Sequence, residues 1–102
     1  ISFANEIYQI CEKLDIDYDK VMEYAKYDER LGYSHWNVPG HDGDFGYGGH
    51  CFPKDLKALI SLACDLNVSP RILTAVDCKN NDVRTDRDWE RQEGRAIINN
   101  VK

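Results

Sequence analysis

GYGGHCFPKDLKALISLACDLN, Gly46 to Asn67, changes character at Cys51. Before that residue, three glycines and a tyrosine show no period. After it, Leu56, Leu59, Ile60, Ala63 and Leu66 recur at three- and four-residue steps, the spacing of one helix face. Pro53 stands where a first-turn proline is tolerated, and Asn67 is a stop signal. A glycine-rich loop therefore delivers the chain into a helix whose buried face is expected to be those five residues.

The same period extends in both directions. Ile1, Ala4, Ile7, Tyr8, Cys11 and Leu14 define a first helix that Asp15 to Asp17 should break. Asp17 or Asp19 can cap a second helix bearing Val21, Tyr24, Ala25 and Asp28, with its stripe running out near Leu31-Gly32. These two should pack as a hairpin. Ser69-Pro70 reads as a cap-plus-proline start for a fourth helix with Ile72, Leu73, Val76 and Asn80 on its inner side. No alternating strand pattern persists, so the predicted fold is all-α. It has about four main helices and a long Gly-rich loop before the third. The helical domain is read as 1–82. Residues 83–102 form a charged C-terminal extension or the start of a linker, closing with AIINNV as a terminal strand or tail.

A chain of 102 residues is one modest domain with a marginal core. Its net charge of -5 and scattered Lys and Arg argue against nucleic acid as a partner. No apolar run nears the ~20 residues of a membrane span and no signal peptide is visible, so the expectation is a cytoplasmic protein with no membrane partner. The chain opens at Ile1, inside an apolar helical face, which suggests a piece of a larger protein. Four cysteines, at 11, 51, 64 and 78, lack any C-x-x-C pair. In a reducing compartment Cys11, Cys64 and Cys78 are expected in the core.

Cys51 differs because of its neighbours. Lying just ahead of Pro53, it should sit at the cap or first turn of the third helix, where unpaired N–H groups and the positive end of the macrodipole favour a thiolate. Lys54, pointing inward, would act in the same direction. Asp55 lies one turn on and can orient a water or take its proton. Gly46, Gly48 and Gly49 would let a substrate come close, with Tyr47 against a sugar ring or base. Loop amides would stabilise an oxyanion after the thiolate adds to a carbonyl. His35, His41 and His50 match no common zinc spacing, so no metal is expected, and Trp36 and Trp89 read as packing anchors. GYGGH has no preceding strand and no G-K-[ST] ending, which rules against a nucleotide phosphate loop.

GYGGHCFPKD closely resembles the active-cysteine motif of the UDP-glucose/GDP-mannose dehydrogenases. ANE at Ala4 to Glu6, DERLG at Asp28 to Gly32 and NNDVRTDRDWE at Asn80 to Glu90 agree, the last being most like the members that oxidise UDP-glucose. The resemblance covers nearly the whole chain as a central helical domain. It implies oxidation of a nucleotide sugar's primary alcohol by two NAD+, through an aldehyde and then a thiohemiacetal and thioester on Cys51, which water hydrolyses with help from Asp55. Phe45, Gly46, Tyr47 and Gly48 would form the loop for the UDP-sugar substrate, and Cys51, Phe52, Pro53 and Lys54 would face the cofactor. Arg30 would reach a neighbouring subunit's substrate in a homodimer built on the first helix. The segment Leu31 to Asp44 is longer than the usual pattern. The resemblance implies an N-terminal dinucleotide-binding domain, and a Lys and an Asn just upstream of Ile1, that these 102 residues do not include, so the isolated chain is expected to be inactive. GDP-mannose or a UDP-N-acetylhexosamine as substrate, a non-catalytic helical dimerisation module and a small zinc module are the alternatives.

Overall fold

The computed structural model describes residues 1–91; the closing AIINNV lies outside them. Four α-helices carry the fold: α1 Ser2–Leu14, α2 Tyr18–Ala25, α3 Cys51–Asp65 and α4 Arg71–Val83, followed by a 3₁₀ turn over Asp88–Arg91. Among the described residues there is no strand, and no helix is long and apolar enough to cross a membrane. The expected all-α architecture is what forms. In packing order the helices run α2, α1, α4, α3.

Helix ends follow local chemistry. Asp15 turns left-handed (φ 57°), letting its own N–H and that of Ile16 bond back to the Cys11 carbonyl and close α1. Asp17 caps α2, its carboxylate accepting from the Asp19 amide at 3.0 Å. Asn67, at φ 60°, ends α3, and Val68 N–H bonds the Ala63 carbonyl at 2.8 Å.

Three expectations are corrected. Helix α2 stops at Ala25, short of Asp28, because the Asp28 carboxylate accepts from the Arg30 amide and guanidinium and so stabilises a turn. Ser69 does not cap α4; Pro70 is the N-cap, and the Ser69 hydroxyl accepts from Arg71 Nε instead. The third concerns α3, where Leu59, Leu62 and Leu66 are exposed and Pro53 alone is buried. Its packing partner among the described residues is α4, which cannot cover both sides of a stripe that wide.

The core lies instead at the other edge. Ala4 and Cys11 of α1, Tyr18 and Met22 of α2, and Val38 of the long loop are buried together, flanked by Ile7, Tyr8, Val21, Ala25, Trp36 and Phe45. Tyr18 donates its hydroxyl to the Trp36 carbonyl at 2.6 Å, pinning the loop to the helical hairpin. Burial, with smaller contributions from the nearby Asp19 and Cys11, pushes the Tyr18 phenol up to about 12, so it acts as a neutral donor. All four cysteines are free, but only Cys11 is buried; Cys64 and Cys78 are exposed because the faces of α3 and α4 that bear them have no covering element among the described residues.

Candidate active site

Cys51 is the first residue of α3 and is exposed. His50, the N-cap, offers no side-chain bond to the first turn, so the helix start is left to its own amides. Asp55 lies one turn further along, and the ion pair it makes is with Lys54 at 3.7 Å. Lys54 therefore turns toward Asp55, not inward past the thiol. Phe52 is half-exposed and packs edge-on against Tyr47 (centroids 5.9 Å apart), with His35 on another side at 5.8 Å.

Two hollows meet at the Tyr47–Phe52 pair. One, about 460 Å³, is walled by Gly46 to Gly49 and Asp88, with His35 and His41 at its rim. The other, of similar volume and more apolar, opens between the start of α1 and α3 and includes Asp55, Leu56 and Leu59. The loop and Asp55 are thus brought to one end of α3, whose first residue is Cys51, although Cys51 itself lines neither hollow. Arg30 is not: its side chain is 89% exposed, is held by Asp28 at 2.7 Å, and lines neither hollow.

The glycines are used differently from the sequence reading. A Cβ on Gly46, at φ +66°, would run into the Asn80 side chain, and a Cβ on Gly48 would run into Arg84 and Asp88. Close approach at these two positions is by the protein's own α4 and the segment after it. Of the three motif glycines, Gly49, at φ +80°, has open space beside it. Tyr47 points inward at 8% exposure; its hydroxyl is buried with no partner among the described residues, and burial raises the phenol to about 12.

What holds the loop is a set of polar side chains distant in sequence. Asn5 Oδ1 accepts from the Gly46 amide at 3.1 Å. Asn80 accepts from the Tyr47 amide at 2.8 Å and donates back to its carbonyl at 3.0 Å. Both oxygens of Asp88 accept from the Gly49 amide, at 3.0 and 3.1 Å. Arg84, with a side chain 2% exposed, donates to the Phe45 carbonyl and faces Asp42 at 2.8 Å, Asp44 at 3.4 Å and Asp88 at 3.5 Å. Burial alone would raise the Asp44 carboxyl. Hydrogen bonds from the Thr85 hydroxyl and from the Asp86, Phe45 and Thr85 amides outweigh it and bring Asp44 down to about 2. Residues 84–91 accordingly lie against the loop, with Trp89 buried.

Asn5, Arg84, Asp88, Asp42 and Asp44 were not singled out as site residues by sequence. The available signal was indirect: a long loop whose amides need partners, and charged residues placed directly after a helix. Among the described residues no three His, Cys, Asp or Glu side chains gather as a metal site.

A profile of the UDP-glucose/GDP-mannose dehydrogenase family, central domain, matches residues 1–82. The chain is 40% identical over 82 residues to UDP-glucose 6-dehydrogenase YwqF of Bacillus subtilis, covering 80% of this chain and 18% of that protein. It is 39% identical over 80 residues to a UDP-glucose 6-dehydrogenase of Pseudomonas aeruginosa, covering 78% and 17%. Against UDP-glucose 6-dehydrogenase AglM of Haloferax volcanii it is 36% identical over 88 residues, covering 85% and 19%. The chain spans less than a fifth of the length of these relatives. No solved structure matches it. With a glycine-walled hollow beside an exposed helix-start cysteine, and a profile match across residues 1–82, the chain belongs to the UDP-glucose/GDP-mannose dehydrogenase family, as its central domain.

Proposed function

We propose that this chain is the cysteine-bearing part of an NAD-dependent dehydrogenase that oxidises the C6 alcohol of UDP-glucose to the carboxylate of UDP-glucuronate. The observation that carries the reading is the setting of Cys51: an exposed thiol on the first residue of a helix, directly after a walled glycine loop, with a carboxylate one turn away.

The alcohol loses a hydride and a proton to give an aldehyde. The Cys51 thiolate adds to the aldehyde carbon and the oxygen takes up a proton, giving a thiohemiacetal. Loss of a second hydride and a proton leaves a thioester. Asp55 takes one proton from water as it attacks, the C–S bond breaks to release the thiolate, and the carboxylic acid so formed gives its remaining proton to solvent to become the carboxylate. Bound NAD+ supplies the acceptor for each hydride. Open space over Gly49 and the half-exposed Phe52 ring leave room for a flat heteroaromatic ring along Cys51 to Lys54. The described residues hold no glycine phosphate cradle after a strand, so most of the dinucleotide would be gripped by another domain.

Phe45 to Gly48 would receive the sugar nucleotide. The exposed Arg30 is suited to reach across a subunit boundary, and exposed Phe3, Ile10 and Leu14 of α1 suit the homodimer contact. A cytoplasmic setting fits the free thiols.

The test is NADH formation by the complete protein with UDP-glucose, GDP-mannose and UDP-N-acetylglucosamine. Two NADH per UDP-glucuronate with the first, and loss of carboxylate product in Cys51→Ser without a change in thermal midpoint, are expected. Turnover of another sugar nucleotide alone would reassign the substrate, and full activity in Cys51→Ser would sink the mechanism. NADH formation by the 102-residue chain alone would overturn its expected inactivity.

A further inference from the structure

A run of glycines has the highest conformational entropy a backbone can have, and left alone the Gly46–Gly49 stretch would be an ensemble. It is instead held at Gly46, Tyr47 and Gly49, by side chains rather than by a ladder or helix. Asn80 is 2% exposed and pairs with both the N–H and the C=O of Tyr47, as a neighbouring strand would. Asp88 spends both carboxylate oxygens on the Gly49 amide, two residues before Cys51, while also lining the 460 Å³ hollow. These bonds fix the wall of the hollow before any ligand arrives.

We infer that Asn80 and Asp88 are positioning residues: they pre-order the Tyr47 and Gly49 peptides beside Cys51, so that a sugar nucleotide binds without having to order the loop itself. For its substrate this rests on the function proposed above; for its residues it rests on the hydrogen bonds alone. Pre-ordering acts on affinity, because the entropy of fixing the loop is met in folding and not at binding. A residue serving stability alone would lower the amount of folded protein and leave KM untouched.

Asp88→Ala is the first variant, since the Asp88 side chain is 26% exposed and Arg84 keeps Asp42 and Asp44 as counter-charges. Asp88→Asn retains an acceptor for the Gly49 amide, and Lys57→Ala, in a surface pair with Asp77, is the control. In the complete protein, Asp88→Ala should raise KM for UDP-glucose about tenfold, the worth of one hydrogen bond to a charged acceptor, and move KM for NAD+ by less than about twofold. Peptide-resolved deuterium exchange should quicken about tenfold across residues 45–50, with α1 and α4 unchanged. Asp88→Asn should restore both readouts, and Asn80→Ala should reproduce the exchange effect at Tyr47. An unchanged KM accompanied by a lower thermal midpoint, or unchanged exchange at 45–50, overturns the inference. If the complete protein oxidises no sugar nucleotide, the proposed function fails and exchange alone decides: faster in Asp88→Ala and restored in Asp88→Asn upholds the positioning role, and no difference removes it.

Discussion

Phe45, Gly46, Tyr47 and Gly49 each have a backbone group gripped by a side chain from a distant part of the chain, whereas in the 15 residues of α3 that follow, Pro53 alone is buried. The two segments are adjacent in sequence and held by different forces. The loop is fixed by directed polar bonds from side chains of the same chain. Helix α3 carries a broad apolar stripe that the described residues cover only along its contact with α4. Polar closure and apolar openness at one helix end suit a site whose wall is built in advance and whose far side is left for another body.

The sharpest way to break the contrast is at Arg84. Its guanidinium is 2% exposed and faces three carboxylates, so Arg84→Ala leaves Asp42, Asp44 and Asp88 crowded without a counter-charge. The expected loss is about 3–5 kcal/mol, the cost of breaking a buried ion cluster on one side. Urea unfolding reads it directly, and a loss below about 1 kcal/mol would mean that the cluster is solvated rather than buried.

Gly46 and Gly49 provide the next comparison because both have positive φ but different surroundings. Gly46→Ala adds a collision with Asn80 to the backbone strain and should cost about 2–4 kcal/mol; Gly49→Ala meets nothing within 4 Å and should cost about 1 kcal/mol. Equal costs would remove the claim that Asn80 occupies the space a side chain would need.

Acid is a gentler probe of the same cluster. Hydrogen bonding to Arg84 holds the Asp42 carboxyl below its ordinary range, and Asp44 is lowered to about 2. A carboxyl depressed in the folded state contributes stability that is full above its unfolded value near ~4 and is lost as pH falls toward the folded value. Loop stability, followed by exchange at 45–50, should therefore be flat from pH 7 to about 4 and fall between about 4 and 2. Asp44→Asn should flatten part of that fall.

Helices were legible where a period and a punctuating residue coincided: Asp15 and Asn67 stop α1 and α3 as expected, and Asp17 caps α2. The period also placed Leu59 and Leu66 on an apolar face, but periodicity reports which side chains share a face and not whether anything lies on it. GYGGHCFPKD pointed to the candidate site, yet Asn80 was read as an inner-face residue, Asp88 as part of a charged tail, and both as members of the NNDVRTDRDWE stretch, none of which gave them a partner in the loop. Their partners are backbone groups 33 and 39 residues away, and a side chain's bond to a distant peptide leaves no spacing rule behind. The same holds for Gly46 and Gly48, whose missing side chains were assigned to substrate access when the colliding atoms belong to α4 and the segment after it.

The smallest expected effect bears on the open side of the comparison. Leu62 and Leu66 are 50% and 64% exposed, so Leu62→Lys or Leu66→Lys in the 102-residue chain should change its unfolding free energy by less than about 0.5 kcal/mol. A leucine buried against a partner gives up about 1.5–3 kcal/mol when its apolar contact is lost, so the same substitutions in the complete protein should cost far more if another domain or subunit lies on α3. A small effect in both settings would mean that the stripe faces water throughout. A large effect already in the chain alone would mean that α3 is more covered than its packing against α4 provides. The difference between the two settings measures how much of this helix folds against something beyond the chain, which the loop beside it, closed by its own side chains, does not require.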